Sequence, residues 1–254
     1  MSLRILLIGG TGAPKRSQFY YQPLLDVAKQ HSESVDFEAI FMLGFGSMKS
    51  SASIIGNKYF GNPDDKFVLI GHSQGAILAT LIAMEYPDSV LAVISLAGPF
   101  AGTTWTDPLN MPVRVFVELV SRATLGMLKL KPALLHLVVP VVPIVSDLRA
   151  HSEVSEMILS YLGSQESGHE THAIIGSSDM LVFPRRSASP LGKMVTSYLA
   201  TDTRDFRSLK TILPNEIKHI NSRVGHISIV SDKVVLEHIS GIISAYKAKF
   251  NSQD

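Results

Sequence analysis

No cysteine occurs in the 254 residues, which excludes disulfides, thiolate nucleophiles and thiolate-held metals. Either redox compartment tolerates such a chain, so the absence leaves the compartment open. Charge of one sign is also missing. Lys and Arg total 23 against 22 Asp and Glu, with no basic tail or acidic tract, so no broad electrostatic attraction for nucleic acid or an anionic bilayer is expected. The start, Met1 to Ile8, holds one short apolar stretch before Gly9 and lacks the apolar region and cleavage site of a signal peptide. A cytoplasmic protein is the expectation.

Long hydrophobic runs are lacking too, although the mean hydropathy of +0.22 is high. The most apolar window, Pro132 to Val145, is interrupted by His136, Pro140 and Pro143. It falls short of the roughly 20 residues a spanning helix needs. No transmembrane segment is expected, and the apolar residues need a buried destination. A chain of this length suits one domain, or one domain with an insertion.

Strand-like runs alternate with helix-like segments, the pattern of an α/β protein whose mostly parallel sheet is covered by helices on both faces. Leu3 to Ile8 is continuously apolar, as a strand buried on both sides should be, and Gly9-Gly10-Thr11-Gly12 turns the chain at its end. A helix is predicted from Pro23 to His31. Further strands are predicted at Phe37 to Leu43, Phe67 to Ile70, Val90 to Leu96, His172 to Ile175 and Ile217 to Ile220. Gln74 to Tyr86 is apolar nearly all round and reads as a central helix ended by Pro87. The last helix begins near Asp232, its predicted N-cap, with Val235, Ile239, Ile242 and Tyr246 on one stripe.

Between residues 101 and 168 the alternation stops and prolines cluster, so this stretch is expected to be an inserted, largely helical cap. The core would comprise residues 1–100 and 169–254.

Gly71-His72-Ser73-Gln74-Gly75 lies between a predicted strand and the central helix, the context a nucleophile elbow requires. Its turn is tight enough to strain the central residue and to demand small neighbours two places away, which Gly71 and Gly75 supply. Ser73 would stand at a helix N-terminus, where free amides favour developing negative charge. Ser73 is the expected nucleophile and the Gln74 amide one oxyanion donor. The second donor should come from the loop after the first strand, with Thr11 preferred and Gly10 its rival.

A serine hydroxyl needs a general base and a group to orient it. His226 follows Gly225 in the loop between the last strand and the last helix, a loop that opens at the same sheet edge as the elbow. It is the expected base, ahead of His219 and His172 within strands. His72, inside the elbow, reads as a packing or loop-stabilising residue. Asp179, after a strand and the turn Gly176-Ser177-Ser178, is the expected acid, ahead of Asp147 and Asp202.

The amino-terminal glycines also suggest a dinucleotide-binding turn, but Lys15 stands where the third glycine belongs. No His, Asp and Glu residues cluster at ligand spacing, so neither a metal nor a cofactor is expected.

The order of these elements resembles the α/β-hydrolase superfamily, especially its lipase and esterase branch. The likeness rests on Leu7 to Ala13, Phe67 to Tyr86, Leu96 to Thr103, Gly176 to Val182 and Val224 to Val230. The family's order of serine, acid and histidine is matched by Ser73, Asp179 and His226. The insertion falls where lipase-like members place a lid. Two departures stand out: Gly9-Gly10 replaces the usual His-Gly of the first oxyanion loop, and the chain starts at the family's third strand. The resemblance thus implies a sheet shortened on its N-terminal side.

The expected function is a serine hydrolase of lipid metabolism, lipase- or esterase-like, cleaving a carboxylic ester with an apolar acyl or alcohol part through an acyl-enzyme. Leu134, Leu135 and Val138 of the cap are the expected substrate-binding residues. The substrate would be a small-molecule or lipid ester, with transient membrane-surface contact and no nucleic acid. Two alternatives remain open: an acyltransferase using the same triad, and a non-catalytic binding protein on the same fold.

Overall fold

A computed structural model describes residues 2–10, 18–38, 47–103, 147–164, 168–179, 181–182, 185–209 and 216–252. Seven strands and six helices organise these residues. They run β1 (Ser2–Ile8), α1 (Gln18–Lys29), β2 (Ser34–Glu38), α2 (Met48–Tyr59), β3 (Asp65–His72), α3 (Gln74–Glu85), β4 (Val90–Leu96) and α4 (Glu153–Gly163). Then come β5 (Glu170–Gly176), β6 (Val195–Thr201), α5 (Thr203–Leu209), β7 (Lys218–Asn221) and α6 (Lys233–Asn251).

All seven strands are parallel, in the order β2-β1-β3-β4-β5-β6-β7. The expected mostly parallel sheet with helices on both faces is what forms. The continuous apolar run of β1 resolves into two alternating stripes. Ile5 and Leu7 join Val68 and Ile70 of β3 in a core shared with α1 and α6. Leu6 and Ile8 join Phe67 and Leu69 in a second core shared with α2, α3 and α4. Side chains of a strand alternate between faces, so only a strand covered on both sides reads as unbroken apolar sequence.

Helix α3 has every residue from Gln74 to Ala83 buried, which accounts for its apolar circumference. Helix α4 falls within the expected cap, yet Val154, Ile158 and Leu162 pack in the second core beside α3. Residues 104–146 of that cap, including Leu134, Leu135 and Val138, lie outside the described residues.

Several elements differ from their sequence expectation. Helix α1 starts at Gln18, ahead of Pro23 at its sixth position. Proline lacks only its own bond to the carbonyl four residues back, and the buried faces of Tyr21, Leu24, Leu25 and Ala28 sustain the helix around it. Strand β2 begins at Ser34 rather than Phe37. Helix α2 was not signalled by apolar periodicity, and β6 lies in a stretch that reads as mixed. Val195-Thr196-Ser197-Tyr198-Leu199-Ala200-Thr201 becomes interior strand because β5 and β7 pair with both of its sides.

Among the described residues no helix is long and apolar enough to cross a membrane.

Candidate active site

The chain leaves β1 for β2 on one side, and β3 then adds to β1 on the other. The carboxyl ends of β1 and β3 therefore flank the point where strand order reverses, the usual place for a ligand crevice in an open α/β sheet. Gly9-Gly10 and Ser73 stand there.

Ser73 follows β3 and caps α3 with φ 55° and ψ −124°, a conformation that costs a non-glycine residue about 1–3 kcal/mol. The turn is held by the Ser73 amide donating to the Leu96 carbonyl at 2.8 Å. Its tightness is visible at the flanking glycines. A Cβ on Gly75 would lie 2.2 Å from the Ile8 carbonyl oxygen, and one on Gly71 would lie 2.4 Å from the Ala76 Cα. The N-cap serines Ser47 and Ser152 and the N-cap Asp232 each accept a helix amide through the side chain. The Ser73 side chain makes no such cap bond. Its hydroxyl is withheld from the helix that Ser73 begins. Gln74 brings its backbone amide to the first turn of that helix, where amides point out of the helix end.

Asp179 and His226 meet as their spacing along the fold suggested. His226 Nδ1 lies 2.9 Å from Asp179 Oδ2. The other carboxylate oxygen accepts the amides of Leu181 at 2.8 Å and Val182 at 2.9 Å. Asp179 is buried, and burial by itself would push its carboxyl up. The His226 hydrogen bond and charge, with the Val182 and Leu181 amides, outweigh burial and hold it below the ordinary carboxylate range. A carboxylate only accepts here, so His226 Nδ1 carries a proton, and in its neutral form the ring leaves Nε2 as an acceptor. The two loops lie together, with the Ser178 amide donating to the Val224 carbonyl at 3.0 Å.

The rival residues are engaged elsewhere. His172 contacts Tyr246 Oη at 2.9 Å, and His219 Nε2 donates to the Thr201 carbonyl at 2.9 Å. Asp147 accepts the Met48 amide, and Asp202 accepts the Asp205 amide near the start of α5. The His72 side chain is buried, bonded to Tyr21 and to the His226 carbonyl. Burial, with a contribution from nearby His226, pushes it down to about 3, so it stays neutral.

The Gly9-Gly10 turn packs beside the elbow. Gly10 lies against the elbow, where an added Cβ would be 3.0 Å from Ser73 Cβ, but its amide donates to Tyr21 Oη at 2.9 Å. The Gly10 amide is therefore engaged by the scaffold. Thr11 lies outside the described residues. Sequence reasoning missed Tyr20 and Tyr21, because Pro23 made the helix appear to begin after them. Among the described residues no three His, Asp or Glu side chains are grouped to hold a metal ion.

Comparison with known proteins agrees with this geometry. A family model described as alpha/beta hydrolase fold matches residues 61–126, which contain β3, the elbow, α3 and β4. Methylesterase 7 of Arabidopsis thaliana is 38% identical over 64 residues, 25% of this chain and 23% of that protein. The match thus spans under a quarter of the length of that curated relative. Among solved structures, Aspergillus fumigatus lipase B is similar with a TM-score of 0.61 at 11% identity, over 96% of this chain and 52% of that one. A carboxylesterase structure from the Thaumarchaeon Nitrososphaera gargenis has a TM-score of 0.56 at 16% identity, over 98% of this chain and 92% of that one. The reversed parallel sheet and the strained serine between β3 and α3, together with these matches, give the chain an α/β-hydrolase fold.

Proposed function

We propose that this protein is a serine hydrolase that cleaves a carboxylic ester with an apolar acyl or alcohol part. One observation carries the reading: a serine held at φ 55° with no side-chain cap bond shares a sheet edge with an imidazole bonded at 2.9 Å to a buried carboxylate. In this reading Ser73 Oγ attacks the ester carbonyl while His226 Nε2 takes its proton. The imidazolium is stabilised by Asp179, which keeps the ring oriented through Nδ1. The tetrahedral oxyanion is held by the amides of Gln74 and Thr11, each donor worth about 3 kcal/mol. His226 then protonates the departing alcohol, and the same imidazole activates the water that releases the acid from Ser73.

The apolar preference rests on the cap sequence, where Leu134, Leu135 and Val138 supply hydrophobic side chains for an acyl chain. The similarity of the chain to a methylesterase, a carboxylesterase and a lipase supports an ester as the substrate.

Labelling with a fluorophosphonate probe tests the nucleophile. Wild type should label and Ser73→Ala should not; an unlabelled wild type would overturn the reading. Nitrophenyl esters of rising chain length test the substrate. Faster turnover of octanoate than acetate is expected, and the reverse would sink the apolar preference alone. Product analysis with competing alcohols should return the free acid, whereas acyl transfer to the alcohol would replace the hydrolase reading with a transferase one.

A further inference from the structure

Two adjacent tyrosines of α1 reach the loop that carries His226. The Tyr20 hydroxyl donates to the Ile227 carbonyl. Tyr21 takes a longer route. Its Oη lies 2.9 Å from His72 Nδ1, and His72 Nε2 lies 2.9 Å from the His226 carbonyl oxygen. The direction of each bond is forced. A carbonyl only accepts, so His72 Nε2 carries the proton; neutral Nδ1 then accepts the Tyr21 hydroxyl, and the Tyr21 oxygen accepts the Gly10 amide at 2.9 Å.

Two consecutive carbonyls of the loop, those of His226 and Ile227, are thereby tied to two consecutive residues of one helix. The rings pack as well: His72 lies 5.7 Å from Tyr21 and 4.9 Å from His226, centroid to centroid. The other end of the chain of bonds is Gly10, which lies against Ser73. The same network therefore touches the backbone of the base and the turn beside the nucleophile. Asp179 holds only the ring of His226, at Nδ1. An imidazole fixed by one ring bond still moves with its backbone, and a displacement near 1 Å can cost about 10²-fold in rate.

We propose that Tyr20, Tyr21 and His72 are positioning residues that clamp the backbone of the base loop at His226 and Ile227 and couple it to the Gly9-Gly10 turn beside Ser73. The catalytic half of this proposal rests on the reading of His226 as the general base; the mechanical half does not.

The test compares wild type with Tyr20→Phe, Tyr21→Phe, their double variant, His72→Phe and His72→Gln. Three quantities are read: the rate of fluorophosphonate labelling, kcat and KM on a nitrophenyl ester, and the water-exchange rate of the His226 Nδ1 proton by NMR. His72→Phe should lower the labelling rate and kcat by about 10²-fold with KM little changed. His72→Gln, whose amide can still donate to the His226 carbonyl, should recover about a tenth of wild-type rate. The double tyrosine variant should lose more than the product of the two single losses, because each bond partly covers for the other. Proton exchange at Nδ1 should quicken in every clamp variant except His72→Gln.

Unchanged labelling and unchanged exchange in the double tyrosine variant would overturn the clamp while leaving the hydrolase reading intact. If wild type does not label, the hydrolase reading fails and the exchange measurement alone decides the clamp. If His72→Phe does not fold, the tyrosine variants decide it, since phenylalanine keeps the ring packing and removes only the hydroxyl.

Discussion

Strand β5 has a cluster holding a histidine and a carboxylate at each end, and the two clusters differ. At its start, Glu170 and His172 face α6 around a cavity of about 380 Å³ that Tyr198, His238 and Tyr246 also line. His172 lies 2.9 Å from Tyr246 Oη, and Lys249 Nζ donates to Glu170 at 3.0 Å. Beyond its other end stands Asp179 with His226. The residue types are alike, but the backbone is not. Glu170 and His172 belong to a regular strand, and Tyr246 and Lys249 to a regular helix, so these groups satisfy one another across a packed interface. At the carboxyl end the chain turns through positive φ at Ser73 and again at Ala97, and loops bring the groups together. Exposure separates the carboxylates too. The Asp179 side chain is 1% exposed and that of Glu170 39%, so only the former can act on its imidazole without screening by water. Strain and a buried carboxylate, more than residue type, set apart the end to which the proposed chemistry is assigned.

The largest test of this contrast removes each cluster's central group. Ser73→Ala should abolish labelling and lower ester turnover by on the order of 10⁶-fold, whereas His172→Gln should leave turnover unchanged. The carboxylates should divide in the same way: Asp179→Asn should cost on the order of 10⁴-fold by presenting the wrong tautomer to Ser73, and Glu170→Gln should cost nothing. Comparable losses at both ends would erase the distinction.

Stability against pH sharpens it from the other side. Burial, only partly offset by Glu170, pushes His172 down to about 4 from an ordinary 6.5. The unfolded chain then binds a proton that the folded chain refuses between those two values. Stability is fully present above pH 6.5 and is lost as pH falls to about 4, by about 3 kcal/mol for this one group. Urea unfolding at pH 7.5 and 4.5 should show the loss, and His172→Gln should reduce it. His169, also pushed down to about 4 by burial, leaves some pH dependence in the variant.

The smallest effects concern glycine. At the strained end, Gly75→Ala would press a methyl group onto the Ile8 carbonyl, and a destabilisation of about 1–3 kcal/mol is expected. At the regular end, a Cβ on Gly241 of α6 meets nothing within 4 Å, so Gly241→Ala should stabilise by about 0.5–1 kcal/mol. Thermal unfolding of the two variants should move in opposite directions.

Much of the frame is legible in the sequence. Continuous apolar runs identify β1, β3 and β4 because both faces of the sheet are covered, and the N-cap at Asp232 is confirmed by its bond to the Val235 amide. The elbow could be read because its requirements are local: a strand, small residues at Gly71 and Gly75, and an apolar helix. Strand β6 was hidden because Ser197 and Thr201 look like loop residues until two neighbouring strands bury them. The start of α1 was hidden because Pro23 is a stronger local signal than the packing that overrides it.

What the sequence determined by itself was therefore everything decided by neighbours along the chain: the absence of thiol chemistry, the α/β alternation, the turn that strains Ser73, and the helix caps. What only the tertiary structure decided was which groups meet across distance. The bond between His226 and Asp179, the commitment of the Gly10 amide to Tyr21, and the reach of Tyr20 and Tyr21 to the His226 loop all join residues from separate elements. Local propensity acts through a few covalent neighbours, whereas these contacts exist only once the sheet has set the positions of its loops.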